Sequence, residues 1–62
     1  MNMKFFDFNH LPKDLREVSK EVFNLAHTMN MILPDCEEKE VGMRKLLEAK
    51  DCFVRAQLEK GE

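Results

Sequence analysis

Three basic residues and a cluster of phenylalanines are the side chains best suited to gripping a ligand. Lys13, Arg16 and Lys20 lie three and four apart, the spacing that lines residues along one stripe of a helix. Arg16 can give two parallel hydrogen bonds to a phosphate, whereas Lys20 would act as a compact point charge. A solvated helix face satisfies the same spacing. Clustered phosphate binding is the alternative, because an oligomer can bring copies of a short basic stripe together. Upstream, Phe5, Phe6, Phe8 and His10 fall among Asn, Asp and Lys. The phenylalanines serve either as plugs over the open ends of a helical hairpin or as a stacking surface for a planar ligand. Stacking on a nucleobase is worth roughly 1–3 kcal/mol. His10 is placed to add a stack or a hydrogen bond.

Other chemistry finds little support. Ser19, His27 and Asp35 assemble on paper as nucleophile, base and orienter, but no nucleophile elbow surrounds the serine, so the chain is not expected to be an enzyme. His27 lies beside an apolar stripe and reads as a helix-surface or interface residue. Walker sequences and zinc-finger spacings are missing, and neither a cofactor nor a metal is expected. Cys36 and Cys52 are the only cysteines, with no C-x-x-C pair. A disulfide between them is disfavoured, because sixteen helical residues separate them by about 24 Å along the axis. In the second half, Arg44 and Arg55 fall near one helix face, eleven positions apart, while Lys45 and Lys50 point elsewhere. A formal net charge of −2 with 35% charged residues argues against a surface that coats duplex nucleic acid. It is compatible with a small anion held by a few local bases.

These residues must be positioned by an all-α hairpin. Pro34 lacks an N–H and disfavours the α conformation at Leu33, so a helix should stop there. Asp35 then reads as an N-cap, with Glu38 closing a capping box and Glu37 and Glu38 complementing the helix dipole. A stop with a start directly behind it predicts an antiparallel two-helix hairpin, residues 12–33 and 35–58, within one domain spanning 1–62. Residues 1–11 read as an extended arm or a short irregular turn. In the first helix Leu15, Val18, Val22, Leu25, Met29 and Ile32 form an unbroken stripe, widened by Phe23, Ala26 and Met31. The second helix carries apolar residues on more than one face, tolerates Gly42, and offers Glu40–Arg44 and Asp51–Arg55 as i,i+4 pairs. A chain of 62 residues is too short for a large core, and two helices share only one seam. Self-association into a compact helical homo-oligomer is therefore expected. Neither a secretory leader nor a bilayer-spanning run is apparent, so no membrane association is expected, and a reducing, soluble compartment fits.

Read together, Leu33-Pro34-Asp35-Cys36-Glu37-Glu38-Lys39, Lys45-Leu46-Leu47-Glu48-Ala49 and Val54-Arg55-Ala56 resemble the helical-hairpin family of bacteriophage anti-CBASS proteins, which sequester cyclic oligonucleotides. The resemblance is strongest over residues 33–56 and looser over the first helix and the aromatic arm. It implies a homohexamer acting as an immune-evasion sponge in the cytoplasm of the infected bacterial host. Cyclic dinucleotides such as cyclic GMP-AMP would be held intact between subunits, denying the host's immune effectors their activator. Some relatives also bind cyclic trinucleotides at separate sites. Register from Pro34 makes Phe8 the match for the family's aromatic residue and Lys20 the match for its lysine, with Arg16, Lys13 and His10 as candidate helpers. Phe8 would keep the stack but lose a phenolic hydroxyl. Arg44 falls where the family's trinucleotide pattern can carry a hydroxyl residue. The alternative expectation is a helical protein-interaction or structural oligomer with no nucleotide ligand.

Overall fold

The structure, a computed structural model, describes residues 2–60. That part of the chain is all-helical: a 3-10 turn at Met3–Phe6, then α1 (Lys13–Ile32) and α2 (Glu37–Lys60). The two long helices pack against each other, and the 3-10 turn packs on α1. The longest dimension is 40 Å. A helix as long as α2 accounts for nearly all of that at about 1.5 Å per residue, so the chain folds back on itself.

Local chemistry explains the breaks. Leu33, ahead of Pro34, is extended (φ −97, ψ 143), and its N–H closes the last turn of α1 by donating to Met29 O at 3.1 Å. Pro12 occupies the N-cap of α1, so the helix begins one residue later than a start at 12, with ψ 156 and no side-chain cap. α2 begins at Glu37, two residues later than a start at 35, with Cys36 O accepting from Glu40 N–H at 3.2 Å. It continues to Lys60, two residues past the expected end at 58, while Gly61 and Glu62 lie outside the described residues.

Asp35 does not cap α2 in the expected way. Its carboxylate instead accepts from Lys39 Nζ at 2.8 Å, and the same ammonium donates to Asn30 O at 2.9 Å and Leu33 O at 3.3 Å. The Lys39 side chain is buried while Asp35 is fully exposed. A lysine from the first turn of α2 thus supplies the positive charge that the C-terminus of α1 lacks in its own last turn.

Of the two forms expected for the N-terminal arm, an extended arm or a short irregular turn, residues Met3–Phe6 take a turn, of 3-10 type. Asn2 Oδ1 accepts from Lys4 N–H at 2.9 Å, and Lys50 Nζ reaches across from α2 to Phe5 O at 3.2 Å. The turn carries Phe6 into the core, where it is completely buried with Val22, Ala26 and Met43. Phe5, by contrast, is exposed. Along α1 the buried line runs through Ser19, Val22 and Ala26, so the seam is centred to one side of the expected stripe. Leu25 and Ile32 are left outside it, exposed together with Met31, Phe53 and Leu58. Small side chains let two helices approach closely, which favours the Ser19/Ala26 side for the seam. The Ser19 hydroxyl is enclosed without a hydrogen-bond partner. Among the described residues, no helix is long and apolar enough to cross a membrane.

Candidate functional site

Phe8 lies just after the 3-10 turn, where Leu11 N–H donates to Phe8 O at 3.1 Å and folds the chain toward α1. Its ring is half-buried and meets Phe23 edge-on, with centroids 5.4 Å apart and planes at 65°. Phe23 in turn stacks on His27, with centroids 6.1 Å apart. The first aromatic contact is the edge-to-face arrangement that the ring quadrupoles favour. It attaches Phe8 to the side of α1 that carries the basic stripe.

Phe8, Lys13, Arg16 and Lys20 consequently line one open depression of about 270 Å³, together with Asn9 and Glu17. Helical spacing explains the cationic part: positions 13, 16 and 20 recur once per turn over the first half of α1. None of the three cations makes a hydrogen bond or an ion pair with another described residue. Three cationic heads and one carboxylate leave the depression with a formal charge of two positive. The N-terminal N–H groups of α1, lacking a side-chain cap, add partial positive charge at the same end.

Two expected contributors lie elsewhere. His10 lines a separate depression of about 240 Å³ between the arm and α2, with Lys50, Asp51 and Arg55. The turn after Phe8 sends it there, toward the opposite helix. Arg44 is exposed on α2 and lines neither depression. The Asp51–Arg55 pair also does not form: Asp51 faces Lys50 at 3.5 Å, and the Arg55 guanidinium donates to Cys52 Sγ at 3.3 Å. Asn9 and Glu17 are the lining residues that sequence reasoning missed. Glu17 was detectable, being four after Lys13 and three before Lys20 on the same stripe.

A third depression, about 320 Å³, runs along the hairpin seam at the turn end and is mostly apolar, with Leu25, Met29, Leu33, Met43 and Leu46 around Gly42. Its charged lining residues are Glu38 and Lys39, and the Lys39 ammonium is already engaged by Asn30 O, Leu33 O and the Asp35 carboxylate. Among the described residues, no group of three or more His, Cys, Asp or Glu converges to hold a metal ion. The depression around Phe8 combines an aromatic ring with a net positive formal charge. Compared with known proteins by family model, by curated sequence and by solved structure, the chain matches none.

Proposed function

We propose that this chain is a cyclic-dinucleotide sponge of the phage anti-CBASS type, binding its ligand intact and so withholding it from bacterial immune effectors. The observation that carries the reading is that Phe8, Lys13, Arg16 and Lys20 line a single depression. A cyclic dinucleotide has two planar bases and two phosphodiester charges, and this surface offers an aromatic ring and a formal charge of two positive. Nothing in that chemistry requires a nucleophile or a general base. The depression is open and, at about 270 Å³, small beside the roughly 300–1,000 Å³ of ordinary ligand pockets. It is half of a site, to be closed by another subunit of a homo-oligomer, for which the family resemblance implies a hexamer. Cyclic trinucleotide binding at a separate place remains part of the family expectation, with Arg44 outside the depression.

The test is calorimetric titration of the whole protein with cyclic di- and trinucleotides, followed by chromatographic recovery of the ligand. Tight binding with intact ligand recovered is the expected result. Phe8→Ala should weaken cyclic dinucleotide affinity by roughly tenfold or more, the value of a lost base stack. Lys20→Glu should weaken it at least as much by reversing a charge, with helicity unchanged in both variants. Affinity that survives both substitutions would remove the site assignment.

A second reading, a structural or protein-binding helical oligomer, draws on the exposed Met31, Ile32, Phe53 and Leu58. It predicts association without heat from any cyclic nucleotide.

A further inference from the structure

Glu17 is the anomaly of the depression. A surface built only to attract phosphodiesters would place no carboxylate among Lys13, Arg16 and Lys20, yet Glu17 lines the same cleft as Phe8. Nor is its charge consumed internally: among the described residues the Glu17 carboxylate makes no hydrogen bond or ion pair, although Lys13 and Lys20 lie one turn away on either side. An ionised carboxylate only accepts hydrogen bonds, through two oxygens side by side. Its natural ligand counterpart is a pair of parallel N–H donors.

We propose that Glu17 is a specificity-determining residue that selects guanine-containing cyclic dinucleotides by accepting from the guanine N1–H and N2–H together. This inference rests on the dinucleotide-binding reading given above. Guanine alone among the common bases presents two adjacent donors on its pairing edge. Adenine presents N1, an acceptor, beside its amino group, and cytosine presents N3 in the same way. Uracil has a single N3–H flanked by two carbonyl oxygens. Each of these places at least one lone pair against the Glu17 carboxylate, a repulsive contact. Discrimination of this kind is strong because the wrong ligand leaves a charged group unpaired. Phe8 supplies the stacking face in the same depression, and the three cations take the phosphodiesters. Asn9 is neutral and carries both a donor and an acceptor, so it adds contact without dictating the base.

The experiment titrates the full chain and its Glu17→Gln variant with cyclic di-GMP, cyclic GMP-AMP, cyclic di-AMP and cyclic di-UMP. The native protein should bind the guanine-containing ligands about tenfold or more tighter than cyclic di-AMP, the value of hydrogen bonds to a charged acceptor. Glu17→Gln should lower affinity for the guanine ligands by about that factor and leave cyclic di-AMP equal or tighter. Circular dichroism of the variant, which changes one exposed side chain, should match the native spectrum. Equal affinity across the bases, or a guanine preference that survives Glu17→Gln, would overturn the role of Glu17 while leaving the dinucleotide site standing. Absence of binding to every ligand would overturn both.

Discussion

Lys39 concentrates more of the hairpin's polar energetics than any other described side chain. Its ammonium is buried at the turn and donates to the carbonyl oxygens of Asn30 and Leu33 and to the Asp35 carboxylate. In the first turn of α2 a cation opposes that helix's dipole, but here it serves the C-terminus of α1, where carbonyl oxygens are unpaired. Replacing it by a side chain of similar length and no charge, Lys39→Met, should lower the unfolding free energy by about 2 kcal/mol, read by urea denaturation. The hydrogen bond from Lys39, and then its charge, hold the Asp35 carboxyl below the usual carboxylate range. A carboxyl whose folded-state pKa is depressed contributes stability above its unfolded pKa and loses it as pH falls through the folded one. The native protein should therefore lose this contribution in the acid range below about pH 4, and Asp35→Asn should remove that part of the acid dependence. Thermal melts of both proteins across the acid range measure it.

At the scale of elements, the two-helix plan was readable because apolar residues recur three and four apart and Pro34 interrupts them. The seam itself was less readable. A stripe as wide as that of α1 offers two candidate centre lines, and bulk alone favours the one through Leu25 and Ile32, both of which are exposed. The burial of Ser19 and Ala26 depends on how closely a second helix can approach, which is a property of the pair. The choice between an extended arm and a turn at the N-terminus was likewise open, since the 3-10 turn is held by the burial of Phe6 and by Lys50 from α2. For the site, the basic stripe followed from spacing within one helix. The separation of His10 from it depends on a turn at 8–11, where Asn9 is suited to a turn but does not by itself say which helix His10 will face. Lys39, a charged residue in an acidic run, gave no signal of burial. A glycine inside a helix, as at Gly42, marks either a close helix approach or a weakly optimised turn. A Cβ built there meets nothing within 4 Å, so close approach within the hairpin is not its reason. Gly42→Ala should thus stabilise the hairpin by about 0.5–1 kcal/mol, the propensity difference in a helix interior. A loss of stability in chemical denaturation would mean that another chain packs against this position.

For the whole molecule, the decisive quantity is how little one chain buries. Phe6, Val22, Ala26 and Met43 are the buried hydrophobic residues among those described, while Met31 and Ile32 remain 70% and 65% exposed. Chains this short rarely stand on such a core alone. The proposed oligomer addresses both facts, since the exposed ends of α1 and α2 would be covered and the open depression around Phe8 closed. Association of this kind makes stability depend on concentration: anything that binds only the folded state raises the melting temperature by mass action. Sedimentation velocity should find a single species larger than the monomer, and the melting temperature should rise with protein concentration. Ile32→Lys, which places a charge on the uncovered apolar end without touching the buried seam, should weaken association by about tenfold or more. It should also weaken cyclic dinucleotide binding, because each half-site would lose the neighbour that closes it. A monomeric protein with a concentration-independent melting temperature that still bound the ligand tightly would leave the grip of Phe8, Lys13, Arg16 and Lys20 intact and dismiss the shared pocket. Coupled loss of assembly and ligand in Ile32→Lys, with the helical spectrum retained, would tie the site to the interface.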